Sequence, residues 1–293
     1  MELTKKTVNV VNVDGLATSY RESNPTASQT ILMLRGFRTS DRGLLVLARK
    51  FSGYHLIIPD LPGYGQTQEL PGGNTIPAYA EFVARFCDLL DLHDVTILGH
   101  SLGAHVGLAY AAKHPQRVKN LVLISPIPRP NLMSRAVSLY YQIGRALPAP
   151  LEHGWLTNRK VHQTIRKFVV RTNDPVLREQ IMREGERELK ELRPNVNVEN
   201  FLSLVSTDPE YYIPHLSVPT LVLAGDLDRL TRLSDVVNAY QHPLIELRVI
   251  KGMGHYGPSE IPGEISAIVM SWLQRDSALL ASPNTELPLA VAI

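Results

Sequence analysis

The chain carries one cysteine in 293 residues, Cys87. A disulfide within the chain and a thiolate metal cluster are therefore excluded. Cys87 lies in EFVARFCDLLDL among core-type residues and reads as packing. Long apolar runs are lacking as well. Nothing approaches the roughly eighteen consecutive apolar residues of a membrane-spanning helix, and the start, MELTKKTVNVVNV, holds no apolar stretch long enough for a signal peptide. The expectation is a cytoplasmic protein without a transmembrane segment. An excess of one charge sign is missing too: the net charge is +2 and there is no Lys/Arg run. That balance argues against a nucleic-acid partner. With 44% hydrophobic and 20% charged residues, the composition is that of a globular protein, either one large domain or a domain with an insertion.

Short apolar runs alternate with helical patterns. VNVVNV and LATSYRE flank Asp14-Gly15, a hairpin signal that predicts an antiparallel start. Runs at 31–34, 55–59, 95–99, 121–125, 220–225 and 246–250 read as buried strands, with helices near 41–51, 76–91, 102–113, 233–241 and 260–274. This predicts an α/β fold: a mostly parallel twisted sheet of about eight strands with helices on both faces.

The alternation stops between 129 and 215. PIPRPN and LPAPLEHG are Pro-rich, and no convincing strand follows for a long stretch. Leu132, Ala136, Tyr140 and Ile143 share one helical face, as do Val161, Ile165, Phe168 and Val169. Asp174-Pro175 opens a further helix, and Phe201, Leu202 and Val205 suggest another. The expected division is a core over 1–128 and 216–275, a helical cap over 129–215 inserted between strands, and a weakly structured tail over 276–293. The first half of the cap is basic, from Arg129 to Arg171, with Glu152 opposing; such charges usually form a solvated face.

ILGHSLGAH, residues 97–105, places Ser101 between two glycines directly after a strand and at the start of a helix. Gly-x-Ser-x-Gly alone arises by chance in roughly one chain in ten of this length, so its surroundings carry the argument. A strand–serine–helix turn exposes the hydroxyl, and the helix N-terminus offers unpaired N–H groups. A serine needs a base. Among the histidines, His255 in KGMGHYGPSE directly follows the last strand, at the carboxyl edge of the sheet. His100 would point elsewhere on the turn, His105 packs or lies on the surface, and His114 near the helix C-terminus is structural. The base needs an orienting carboxylate, and LVLAGDLDRLT offers Asp226 and Asp228.

RGF at 35–37, DLPGYGQT at 60–67, GHSLGA at 99–104, HPQRVKNLVLISP at 114–126, AGDLD at 224–228 and GMGHYGP at 252–258 occur in that order. Together they resemble the α/β-hydrolases of the capped, lipase/esterase-like group, over roughly residues 7 to 275. The resemblance implies a cofactor-free, metal-free serine hydrolase acting on a small-molecule ester. Ser101, Asp228 and His255 would be catalytic, Asp228 being the third residue after Gly225. The backbone N–H groups of Phe37 and Leu102 would form the oxyanion hole. One position departs from the family: Arg35 stands where a histidine usually precedes the glycine. It would be either an anchor for a substrate carboxylate or, as the favoured reading, a scaffold residue binding carbonyls or Asp60. Asp60 reads as loop-stabilising. Arg35, Tyr64 and Tyr140 are the candidate substrate-binding residues. C–C bond hydrolase, lactonase, amidase and acyltransferase chemistry use the same three residues, and a slow-turnover ligand sensor stays open beside them. Oligomeric state is not legible.

Overall fold

The computed structural model describes residues 8–37, 41–128, 132–191 and 193–279. Eight strands form one sheet: β1 (Val8–Val13), β2 (Leu16–Ser23), β3 (Thr30–Leu34), β4 (His55–Pro59), β5 (Val95–His100), β6 (Val118–Ile124), β7 (Thr220–Gly225) and β8 (Ile245–Ile250). Their order is β1-β2-β4-β3-β5-β6-β7-β8. β2 runs antiparallel to β1 and β4, and β3 to β8 run parallel. The β1–β2 hairpin turns at Asp14-Gly15, where both residues have positive φ (50° and 88°) and Val13 pairs with Leu16. β6 starts three residues before the expected run because Lys119 and Asn120 interrupt the apolar pattern there: Asn120 is buried and pairs with Thr96.

Eleven helices are described. Around the sheet stand α1 (Asp41–Ala48), α2 (Ile76–Leu89), α3 (Leu102–Lys113), α9 (Leu233–Ala239), α10 (Gly257–Glu260) and α11 (Pro262–Leu279). Strand side chains alternate between two cores, as the period of two requires. Leu32, Leu34, Ile97, Leu121 and Leu123 pack with α2 and α3. Ile31, Met33, Leu98, Val122 and Ile124 pack with α1 and α11. Cys87 is in the first core, and burial pushes its thiol up to about 12.

Between β6 and β7 lie α4 (Leu132–Arg145), α5 (Ala149–Leu156), α6 (Arg159–Val169), α7 (Pro175–Lys190) and α8 (Pro194–Ser206). The prolines here start helices rather than break them. Pro175 and Pro194 open α7 and α8, and Pro148 caps α5, positions where a missing N–H costs nothing. That is why the Pro-rich LPAPLEHG contains a helix the sequence pattern hides. Asp174 caps α7, its carboxylate accepting from the Val176 and Leu177 N–H groups. The buried face of α4 is not the expected one. Val137 and Tyr141 are buried with Leu156, Val198 and Phe201, whereas Ala136 is exposed and Ile143 is 42% exposed. On α6 the buried face includes His162 and Arg166 as well as Val169. Arg129 and the tail beyond 279 lie outside the described residues, so the expectations about them have no structural counterpart here.

Candidate active site

Ser101 follows β5 and caps α3, with φ 52° and ψ −111°. A non-glycine residue held there costs of order 1–3 kcal/mol, which the surrounding packing must supply. The close passage depends on glycine. A Cβ on Gly99 would collide with the Gly103 carbonyl, and one on Gly103 with the carbonyls of Leu34 and Arg35. The Ser101 N–H donates to the Ile124 carbonyl at 2.9 Å, tying the turn to β6.

His255 lies in the loop after β8 and Asp228 in the loop after β7. Nε2 of His255 is 2.9 Å from Oγ of Ser101, and its Nδ1 is 2.8 Å from Oδ2 of Asp228. All three side chains are buried. Burial pushes the Asp228 carboxyl upward, but His255, by its charge and hydrogen bond, and the Leu230 and Thr231 N–H groups outweigh it and hold the group below its ordinary value. The Leu230 N–H donates to Oδ1 at 2.8 Å. Asp226 faces away: its Oδ1 accepts the Gly252 N–H at 2.6 Å.

His100 takes a position the sequence did not suggest. Its Nε2 donates to the backbone carbonyl of His255 at 2.7 Å, with the two rings 5.4 Å apart. Burial, then the neighbouring His255, lowers its pKa to about 3, so the ring is a neutral donor. His105 packs inward: Nε2 accepts the Ile127 N–H at 3.2 Å, and burial lowers its pKa to about 4.

Ser101 and His255 open on a cavity of about 70 Å³ whose wall is mainly apolar. Phe37 lies on the core side, while Val137, Tyr141, Ile165 and Phe201 come from the helical insertion. The Phe37 ring meets Phe201 at 5.6 Å and Tyr141 at 6.5 Å. Asn197 Nδ2 donates to the Tyr141 hydroxyl at 2.8 Å, fixing that ring. Arg166 also lines the wall, but Glu188 holds its guanidinium at 2.8 Å.

The three expected substrate contacts lie elsewhere. Arg35 sits over the Tyr64 ring, 4.1 Å from its centroid. Both line a second, polar cleft with Asp60 and Arg193 rather than the cavity at Ser101. Tyr140 stacks on Trp155 at 5.5 Å, its hydroxyl donating to the Trp155 carbonyl. Its neighbour Tyr141 faces the cavity instead, and a reading of α4 by the i, i+4 pair Val137 and Tyr141 would have found it. Asp60 braces the loop after β4, accepting from the Ser19 hydroxyl at 2.5 Å and the Gln66 N–H at 3.4 Å. Leu102 is the first residue of α3, so its N–H has no acceptor within the helix; Phe37 ends the described loop after β3.

The family profile for the alpha/beta hydrolase fold matches residues 36–260. The chain belongs to the α/β-hydrolase fold family. Among curated proteins it is similar to a dihydrolipoyllysine-residue acetyltransferase component of an acetoin cleaving system from Cupriavidus necator, 35% identical over 117 residues. That match covers 40% of this chain and 31% of the relative, so the chain spans about a third of that protein's length. Lipase 1 of Psychrobacter immobilis is 25% identical over 263 residues, covering 80% of this chain and 74% of the lipase. The solved structure of a thermophilic esterase from Thermogutta terrifontis superposes with a TM-score of 0.74 at 22% identity, covering 92% of this chain and 99% of that one. Among the described residues no cluster of three His, Cys, Asp or Glu side chains is placed to hold a metal ion, and no helix is long and apolar enough to cross a membrane.

Proposed function

We propose that this α/β-hydrolase is a serine hydrolase that cleaves small-to-medium carboxylic esters through an acyl-enzyme on Ser101. The hydrogen-bonded chain Ser101–His255–Asp228 carries the reading. Ser101 Oγ attacks the ester carbonyl while His255 Nε2 takes its proton. Asp228 keeps the imidazole in the tautomer with hydrogen on Nδ1 and stabilises the imidazolium that forms. The Phe37 and Leu102 N–H groups bind the tetrahedral oxyanion, Leu102 with the favourable field of the α3 N-terminus. His255 then protonates the leaving alcohol. Water repeats the attack on the acyl-enzyme, and Ser101 is regenerated.

The helical insertion acts as the cap over this centre, selecting the acyl group. Its apolar wall suits an uncharged acyl chain, and the Arg166 guanidinium is already engaged by Glu188, which favours a neutral ester over an anionic acyl group. Steady-state hydrolysis of p-nitrophenyl butyrate tests the reading. Multiple turnover is expected from the wild type, with a loss of about 10⁴-fold or more in Ser101→Ala. A single slow turnover by the wild type, or a Ser101→Ala variant of undiminished rate, would contradict it.

A further inference from the structure

Glu260 closes α10, five residues past His255, and both oxygens of its partly buried carboxylate are engaged. Oε2 accepts the Gly254 N–H at 2.7 Å, and Oε1 accepts the Arg171 N–H at 3.2 Å. Gly254 immediately precedes His255, whereas Arg171 lies two residues past the end of α6 in the helical insertion. One side chain therefore joins the loop of the base to the segment that covers it. The approach is tight: a Cβ on Gly254 would stand 2.9 Å from both Glu260 oxygens and 3.0 Å from Arg171 Cβ. His100 holds the next carbonyl in the loop, that of His255. The loop is thus fixed on one side by β5 and on the other by Glu260. α6 itself supplies Ile165, Arg166 and Val169 to the cavity wall.

We propose that Glu260 is a positioning residue that registers the helical insertion against His255, holding the imidazole on Ser101 when the insertion is seated over the cavity. The inference rests on the reading of His255 as the catalytic base. Any group that displaces α6 moves Arg171, and the shared carboxylate passes that movement to Gly254. The carboxylate also adds negative charge near the imidazole. The other groups facing His255 are Asp228, the neutral His100 ring, the Ser101 hydroxyl and the edge of the Tyr256 ring. Of the two carboxylates, Asp228 bonds the ring, and Glu260 acts at longer range through the loop. Negative charge favours the imidazolium that forms as Ser101 gives up its proton, so removing it slows that proton transfer.

Three variants of the full chain separate the outcomes. Glu260→Gln keeps the length but removes the charge and leaves one oxygen where two accepted. Its kcat on p-nitrophenyl butyrate should fall about tenfold to a hundredfold, with KM little changed. Glu260→Asp keeps the charge, so it should recover part of the kcat lost in Glu260→Gln, again with KM little changed. Gly254→Ala crowds the carboxylate and should lower kcat without removing charge, which keeps the proposal open to test if Glu260→Gln folds poorly. Wild-type kcat in Glu260→Gln would overturn the inference while leaving the base assignment standing. So would a kcat loss matched by a lowered melting temperature, with no recovery of kcat in Glu260→Asp. A wild type that turns over no ester would overturn the base assignment and this inference with it.

Discussion

Asp226 and Asp228 turn their carboxylates to different partners: Asp228 reaches Nδ1 of His255 at 2.8 Å, while Asp226 binds the Gly252 N–H at 2.6 Å. Only Asp228 can hold the imidazole's tautomer and balance its charge. Asp228→Asn should therefore lose about 10⁴-fold in turnover at neutral pH with folding retained. Asp226→Asn should lose about tenfold, roughly 1.4 kcal/mol, through a looser tie between the loops after β7 and β8. Ester hydrolysis by the two variants side by side checks this; an inactive Asp226→Asn beside an active Asp228→Asn would reverse the assignment.

His105 sets a pH dependence of stability. Its folded pKa of about 4 lies below the ordinary 6.5, through burial. Between these values the unfolded chain binds a proton that the folded chain does not. Stability should thus fall as pH drops from about 6.5 towards about 4, with neutral His100 extending the decline towards about 3. His105→Gln retains an acceptor for the Ile127 N–H and should flatten the decline. Urea midpoints at about pH 7.5 and about pH 4.5 measure it; an equal drop in both proteins would remove His105 from the account.

Phe201 stands between Phe37 and Tyr141 in the cavity wall. Phe201→Leu shortens that wall, so the kcat/KM ratio of longer to shorter acyl esters should rise, by about tenfold for a difference near two methylenes. A series of p-nitrophenyl esters differing only in acyl length reads this directly. An unchanged ratio would place the acyl group elsewhere.

Arg35 touches Tyr64 and the second cleft, not the cavity at Ser101. Arg35→His should leave the ratio of anionic to neutral ester hydrolysis nearly unchanged. A large selective loss on the anionic ester would make Arg35 a substrate anchor.

What could be read from the sequence was what local rules govern. Ser101 and His255 each come soon after a strand that runs to the same edge of the sheet, so strand order and turn chemistry nominated them, whereas the choice of Asp228 over Asp226 came from the family resemblance. Strand faces followed from alternation, as Leu32 and Met33 show on opposite sides. The insertion was harder because its buried faces depend on partners distant in sequence. Tyr140 and Tyr141 are chemically alike, and only packing against Trp155 and Phe201 separates their roles. Arg166 looked like part of a solvated basic face, yet it is buried against Glu188, 22 residues on. Nothing in GPSE signals that Glu260 would reach both Gly254 and Arg171.

The most direct test of the central claim is peptide mapping by mass spectrometry after reaction with a fluorophosphonate. The adduct should be confined to Ser101, form in step with loss of ester hydrolysis, and be absent from Ser101→Ala. Labelling of Ser101→Ala at the wild-type rate, or full inhibition with the adduct on another residue, would contradict the account.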